Sequence, residues 1–270
     1  MQLCIDASRA LTTIRPMRLI APAPASPSRH RPESATDPTR IASSDVTVLV
    51  LAQMPASSRL WGWSRFVLGP SVVGHTTAPR LVKILGSGFD GGFGLRPSGT
   101  RQGLLCVFDG EDAARSFIHA SVVDGYRRRA DEFLLALLQP FSVRGTWSGK
   151  TLEHAPPRPD DAAAPVAAIT RASIRPSRAL AFWRQAPAAQ AGLADAAGCR
   201  LAVGLGEAPL LRQATFSVWD NQAAMDTYAR QGPHLAAIRD AQRLKYFSES
   251  MFVRFRILQL SGTYKGVQYG

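Results

Sequence analysis

The sequence predicts an α+β protein in which two ferredoxin-like units, each with the element order β-α-β-β-α-β, pack sheet against sheet. They would form an internal pseudo-dimer that resembles a dimeric α/β barrel. Two observations predict this fold. Three sequence blocks recur in the same order about 110 to 120 residues apart, a spacing too long for a solenoid repeat. Each copy also alternates short apolar runs with helix-like segments in the same succession.

The repetition is carried by three pairs of segments with similar residues at matching positions. The pairs are SRLWGWSR (58–65) with SRALAFWR (177–184), RQGLLCVFDGEDAARSF (101–117) with RQATFSVWDNQAAMDTY (212–228), and EFLLALLQPFSVRGTWSG (132–149) with ESMFVRFRILQLSGTYKG (249–266). Because the three matches keep their order, we interpret them as an internal duplication.

Each copy reads as the same series of elements. An opening β run (VTVLVLA; VAAITRA) is followed by a tryptophan-bearing helix that begins at Ser-Arg, and then by a strand with a glycine-rich end. The next strand ends at Asp109 or Asp220, and both carboxylates are predicted helix N-caps. The helix that follows is broken by Gly232 and Pro233 in the second copy, and a last strand closes the unit. We expect a ligand cavity between sheet and helices.

Composition sets the domain boundaries. Residues 1–44 are rich in Pro, Ser, Ala and Arg and cannot bury enough apolar surface to fold, so a disordered tail is predicted. The first ferredoxin-like unit is predicted over residues 45–152 and the second over residues 165–270. Between them, residues 153–164 include APPRPDD and predict a linker.

Charge and cysteine content narrow the class of protein. The formal net charge is +12 and the pI is about 10.6, which suits nucleic acid, acidic lipid headgroups or an acidic protein. No apolar run approaches the ~20 residues of a membrane-spanning helix. Cys4, Cys106 and Cys199 are far apart, which argues against a disulfide framework or zinc site and fits a reducing compartment. We expect Cys106 and Cys199 to be small buried apolar residues.

Three familiar kinds of site are disfavoured. The segment GSGFDG (86–91) matches a dinucleotide-binding pattern, but further glycines and a proline follow where a helix should begin, so a hairpin or flap is the better interpretation. An RNA-recognition module would need stacking aromatics where Gly103, Leu105, Ala214 and Phe216 stand, and three of these four residues are not aromatic. No nucleophile triad is evident, and we expect Glu207 and Glu249 to form ion pairs with arginines such as Arg212 or Arg254.

His234 differs from the other histidines. Pro233 suits the first position of a helix, which places His234 in the first turn on the same stripe as Ile238 and Ala241. The positive end of the helix dipole favours a neutral imidazole, and a neutral imidazole on an apolar face is what haem iron needs as an axial ligand. The alternative is a core histidine that is hydrogen-bonded to a carbonyl.

Several long segments carry a family resemblance. SRLWGWSRFVLG, RGTWSG, CRLAVGLGEAPLLRQATFSVWD and FSESMFVRF closely resemble the spheroidene monooxygenases of phototrophic bacteria, from about Val46 to Gly270. The resemblance implies a haem protein that oxidises acyclic carotenoids with O2 and a reduced ferredoxin-type donor. Spheroidene would become spheroidenone, with a keto group at C-2. A cofactor-free protein that binds apolar ligands on the same fold is the competing interpretation.

The site residues are assigned from the sequence pattern, and the haem that the resemblance implies gives them their roles. With haem implied, His234 is the predicted iron ligand, and His119 and His75 are the reserves. Arg101 and Arg212, which the duplication pairs, are predicted to meet the haem propionates, with ion pairing to Glu207 as the alternative. The residues predicted to line an apolar substrate slot are Trp61, Trp63, Phe182 and Trp183, for which core packing is the alternative.

The implied location is cytoplasmic, with peripheral attachment to the photosynthetic membrane through the net positive charge. A carotenoid is almost wholly apolar, so its enzyme needs access to a membrane store. Nucleic acid is not an expected partner.

Overall fold

The structure is a computed structural model that describes residues 44–74, 78–92, 96–190, 192–208 and 210–270. Apart from Ser44, the predicted tail over residues 1–44 lies outside the described residues, and so do Cys4 and His75.

The first half of the described chain contains four strands and three α-helices. They are β1 (Asp45–Gln53), α1 (Arg59–Leu68), β2 (Leu81–Gly88), β3 (Pro97–Asp109), α2 (Glu111–Phe117), α3 (Ser121–Arg127) and β4 (Glu132–Gly145). The second half follows the same order and adds a short strand. It comprises β5 (Val166–Ile174), α4 (Ala179–Gln190), β6 (Cys199–Ala208), β7 (Arg212–Trp219), α5 (Gln222–Ala229), α6 (Gly232–Arg243), β8 (Phe247–Tyr264) and β9 (Val267–Tyr269).

Eight of these strands close into an antiparallel barrel. The strand order is β4-β1-β3-β2-β6-β7-β5-β8, and β8 returns to pair with β4, while β9 extends β8 as a hairpin. The α+β class and the closed barrel are therefore confirmed. The interpretation of the halves as duplicated ferredoxin-like units remains a prediction.

Alternation along the strands separates two apolar layers. In β1, Leu49 and Leu51 point into the barrel, whereas Val48 and Val50 point outward to the helices, so the strand is apolar throughout. Twenty-three buried residues fill the barrel interior. The one void found there has a volume of about 10 Å³, at the lower limit for a water molecule, so this part of the interior is a packed core.

The glycine-rich segment GSGFDG lies at the seam between the halves. Gly86 pairs with Gly206, and the Ser87 hydroxyl donates to the Gly204 carbonyl at 2.7 Å. A Cβ at Gly206 would lie 2.9 Å from the Arg212 carbonyl oxygen, so glycine permits the close approach of neighbouring strands. Among the described residues, the segment is followed by a 3₁₀ turn at Phe89–Gly91 and then by β3, and not by the α-helix that a dinucleotide site requires.

Two local predictions are wrong. The N-caps of α2 and α5 are Gly110 and Asn221, one residue beyond Asp109 and Asp220, and the Asn221 side chain accepts from the Ala224 amide. The helix of the first half is also broken, because the chain leaves α2 at Phe117 and re-enters a helix only at Ser121. In the second half, the predicted break at Gly232 is confirmed.

The predicted linker, residues 153–164, is fixed at both ends. The amide of Glu153 donates to the buried carboxylate of Asp45 at 2.8 Å. Near the other end, Asp161 accepts from the Arg256 guanidinium at 2.7 Å, and this hydrogen bond lowers the pKa of Asp161. The segment therefore crosses the barrel end in one defined path.

Two tight turns bind the halves to one another. After β4, Gly149 donates its amide to Glu249 of the second half at 2.8 Å. After β8, the amides of Lys265 and Gly266 donate to Glu132 of the first half at 3.0 and 2.6 Å. Each half therefore supplies a carboxylate that satisfies the turn of the other half.

Glycine is required where each of these strands leaves the barrel. Gly145 and Gly262 have φ values of 84° and 111°, a region that disfavours other residues. An added Cβ would lie 2.0 Å from the Ser250 carbonyl oxygen at Gly145, and 2.0 Å from the Phe133 carbonyl oxygen at Gly262. Neither backbone can yield without opening the pairing of β4 with β8.

We expect Gly145→Ala and Gly262→Ala each to lower the free energy of unfolding by about 2 kcal/mol or more, because backbone clash adds to left-handed strain. Gly149→Ala is the matched control, since its φ is 73° with nothing within 4 Å, and it should cost about 1 kcal/mol. Urea unfolding measures all three variants. Equal losses at Gly145 and Gly149 would contradict the steric account.

Candidate functional site

The two faces of the barrel wall offer different kinds of space. The inward face is packed, whereas the outward face lies beneath the helices. In the second half this face carries one row of paired residues, Gly204, Thr215, Thr170 and Phe252, which run in register across β6, β7, β5 and β8. We call the space between this row and helices α4, α5 and α6 the second-half cleft.

Thr170 is the clearest sign of open space in the cleft. It lies in the middle of β5, which is paired on both sides, and it points toward the helix layer, yet its side chain is exposed. Thr215 beside it is half-buried, and so is Phe252. A central strand under a helix layer is normally covered, so the helices leave this part of the sheet open.

The corresponding row of the first half is filled. There, Ile84, Leu104, Val50 and Leu135 run in register across β2, β3, β1 and β4. Val50 and Leu104 are fully buried against the helices above them. At the aligned positions of the second half stand threonines, and a glycine replaces Ile84. Phe252 stands where the first half has Leu135, so the cleft lies over the three positions whose residues are smaller or more polar, Gly204, Thr215 and Thr170.

The helix layer above the cleft is also loosely packed. Helices α2 and α3 of the first half bury six residues between them. Helix α6 contains no residue classed as buried among its described side chains, although it is twelve residues long and amphipathic. A helix that covers a sheet without burying any side chain has room beneath it for another component.

His234 lies in the first turn of α6, as predicted, at the end of this layer. Its ring is half-buried and packs on Tyr228 of α5, with ring centroids 4.9 Å apart. Tyr228 packs in turn on Trp219 of β7, at 5.7 Å. The imidazole is thus carried on a stack of aromatic rings that rises from the outward face of the sheet.

The predicted slot residues divide between the halves. In the second half, Phe182 of α4 packs on Trp183 and on Phe247, with centroids 5.2 and 5.8 Å apart. In the first half, Trp61 packs edge-on against Tyr126, while Trp63 is exposed. Only Phe182 and Trp183 belong to the half that contains the cleft.

The predicted arginines lie on the other side of the sheet from His234. Arg101 donates to Gln53 and lies 5.8 Å from the ring centroid of Tyr264, a residue of the barrel core. Arg212 is largely exposed and lies 3.7 Å from Glu207, the ion pair given as its alternative. The reserve ligand His119 is exposed after α2, in the half whose row is filled. These assignments remain predictions, but the structure does not bring these residues together with His234.

A charged cluster at one barrel end was not predicted as a unit. Buried Arg171 forms an ion pair with Glu249 and lies 3.9 Å from Glu207, which Lys83 contacts at 3.3 Å. The Trp147 indole also donates to Glu207 and covers this end of the barrel. In the sequence, this cluster is indicated by a single arginine, Arg171, inside the apolar run VAAITRASI.

Glu249 is the best-defined acid of this cluster. Burial alone would raise its pKa, but donation from the Gly149 amide, the Thr146 hydroxyl and Arg171 outweighs burial and holds the pKa at about 2. Since Glu249 also fixes the turn after β4, we assign the cluster to the closure of the barrel. Arg254, the other predicted partner, instead contacts Asp226 at 2.5 Å.

The fold defines a class of protein: a closed, eight-stranded antiparallel α+β barrel with helices packed on its outer face. The solved structure of an aldoxime dehydratase in complex with butyraldoxime has the same fold, with a TM-score of 0.55 over 80% of each chain at 9% identity. This likeness concerns the fold alone. No family profile matches the chain.

Two curated proteins identify the family. A spheroidene monooxygenase from Rubrivivax gelatinosus is 53% identical over 236 residues, which are 87% of this chain and 91% of that protein. A spheroidene monooxygenase from Rhodobacter capsulatus is 35% identical, over 78% of this chain and 88% of its own length. The chain belongs to the spheroidene monooxygenase family and is therefore an oxygenase. Among the described residues, no helix is both long and apolar enough to cross a membrane.

We expect Glu249→Gln to lower the free energy of unfolding at pH 7 by about 2 to 4 kcal/mol, because Arg171 loses its partner in a buried site. The depressed pKa means that the wild-type advantage is present above about pH 4.5 and is lost as pH falls toward about 2. Glu111→Gln is the control, since its ion pair with Arg115 is exposed. Urea titrations across this pH range would contradict the account if the two variants behaved alike.

Proposed function

We propose that this protein is a haem-dependent monooxygenase that oxidises an acyclic carotenoid, and that the reaction takes place in the second-half cleft. Membership of the spheroidene monooxygenase family supports the substrate class. The observation that supports this location is that Thr170 is exposed, although it lies in the middle of a central strand beneath a helix layer. The proposed reaction converts spheroidene to spheroidenone with O2 and a ferredoxin-type electron donor.

The residues of the cleft fit a haem. One half-buried imidazole, that of His234, is carried on the helix layer, and three of the four residues in the floor of the cleft are small. His234 would hold the iron of a haem, and Gly204, Thr215 and Thr170 would leave room for its macrocycle. When bound, the haem would supply the activation of O2.

The chain itself would bind, orient and shield. The stack of His234 on Tyr228 and Trp219 fixes the plane of the imidazole, so its nitrogen is presented in one orientation. The aromatic group of Phe182, Trp183 and Phe247 offers apolar surface to a long polyene. Closure of the helix layer over the ligand would keep bulk water out of the cleft.

The proposal does not require Arg101 or Arg212 as propionate partners, because both side chains lie on the barrel side of their strands. The competing function is a cofactor-free protein that binds an apolar ligand. The same cleft would serve it, and His234 would then be structural. The two functions differ in whether purified protein binds hemin through His234.

We also infer that the halves arose by duplication of one ferredoxin-like unit. Support comes from the shared order of elements, from Gly145 and Gly262 at aligned positions, and from the reciprocal bonds of Glu249 and Glu132 to the two turns. We further propose a cytoplasmic protein that attaches peripherally to the membrane that stores its substrate.

We expect His234→Ala to abolish or displace the Soret band that forms when purified protein is reconstituted with hemin, because the axial nitrogen is lost. His119→Ala is the matched control, since this histidine is exposed in the first half, and its spectrum should equal that of the wild type. Spectra are recorded oxidised, and reduced with dithionite and CO. A wild-type protein that takes up no hemin would overturn the haem proposal in favour of the cofactor-free function.

We expect the double change Thr170→Val and Thr215→Leu to fill the cleft, because it installs the residues that occupy the same row in the first half, Val50 and Leu104. Hemin uptake and carotenoid conversion should fall at least about tenfold, while the urea midpoint stays the same or rises. The conservative pair Thr170→Ser and Thr215→Ser should retain both activities. Full hemin uptake by the filled variant would place the site elsewhere.

A further inference from the structure

Helix α1 exposes a large apolar face. Leu60, Trp63 and Val67 are spaced as one helical stripe and are 82%, 58% and 87% exposed. Phe66 and Leu68 extend this stripe and are 41% and 47% exposed. Scattered apolar side chains are ordinary on a protein surface, but five on one ten-residue helix form a contiguous patch. We call these five residues the α1 patch.

The opposite side of α1 explains why the patch faces outward. Gly62 is the one buried residue of the helix, and a Cβ there would lie 2.9 Å from the Gln102 amide nitrogen of β3. The helix therefore rests on the barrel through a glycine. Trp61 is held from the side by the guanidinium groups of Arg65 and Arg129, at 4.6 and 4.7 Å from its ring. Trp61 packs against the core, whereas Leu60, Trp63 and Val67 are left outside it.

Arginines lie close to the patch. Between Asp45 and Asp90 the sequence contains no acidic residue, and this stretch includes Arg59 and Arg65 of α1 itself. Arg129 of the neighbouring segment adds a further cation next to Trp61. An apolar stripe bordered by arginines matches a surface that is anionic at the headgroups and apolar beneath them.

We propose that the α1 patch is the surface through which this protein docks on an anionic lipid bilayer. Leu60, Trp63 and Val67 enter the boundary between headgroups and acyl chains, and Arg59 and Arg65 contact lipid phosphate. This inference deepens the proposed function, since a carotenoid must be collected from a membrane. A second copy of the chain is the less suitable occupant, because it would bring two arginine-bordered patches into contact.

Vesicle co-sedimentation of the full chain tests this proposal. The probes are vesicles of phosphatidylcholine alone and of equimolar phosphatidylcholine and phosphatidylglycerol. We expect the wild type to bind the anionic vesicles, and raised salt to weaken the binding. Leu60→Asp with Val67→Asp should reduce the partition coefficient at least about tenfold. The matched control is Leu180→Asp with Leu211→Asp, which adds the same charge at exposed leucines of the second half and should bind as the wild type does.

Two further measurements make each outcome decisive. The α1 variant should take up hemin and convert detergent-solubilised carotenoid as the wild type does, so loss of vesicle binding is separable from loss of the proposed function. Equal loss in the control pair, or unchanged binding by the α1 variant, overturns the proposal. Sedimentation velocity that reveals a wild-type dimer lost in the α1 variant overturns it in favour of a second copy on the same face.

Discussion

The pairing of β4 with β8 is the interaction on which the rest of the molecule depends. It joins the last strand of the first half to the last long strand of the second, from Leu134–Gly262 to Gly145–Met251. Without it, the sheet would be open and both of these strands would be exposed edges. Barrel closure also determines which side chains become buried, because Trp147 and Tyr264 lie two residues beyond the paired segments and pack against the interior. Because the described interior is packed, the second-half cleft lies on the helix-facing side of the wall.

The two halves differ in how the helix-facing side of the barrel wall is packed. In the first half, Val50 and Leu104 pack against α2 and α3, and the layer is a second hydrophobic core. In the second half, seven of the described residues form the comparable buried cluster, and the outward-facing Thr170 is exposed. Helix α5 contacts the sheet through Met225 and Tyr228, whereas none of the described side chains of α6 is buried. The cleft is therefore a local absence of side-chain volume between the sheet and the helix layer that carries His234.

Much of the fold was predictable because the periodicity of apolar residues and the repetition of segments can be recognised in the sequence itself. Strand positions such as VTVLVLA, the break before Pro233 and the α+β barrel followed from apolar patterning. Pairs that depend on tertiary contact did not follow. Nothing local connects Glu249 to the amide of Gly149, or Gly86 to Gly206 across the seam. The position of His234 in a first helical turn was predictable. The side of the sheet on which Arg101 and Arg212 lie could be determined only from the register of the strands.

The unequal rows of the two halves have a genetic consequence. In a homodimer built from one such half, a single codon would specify both Val50 and Thr170, so both sheet faces would have to be filled or both would have to be hollow. Here the two positions belong to one polypeptide and mutate independently. The sheet face of the first half can be selected for rigid packing, while the sheet face of the second half can be selected for the ligand that it binds. Covalent linkage of the halves thus allows specialisation that symmetry would forbid.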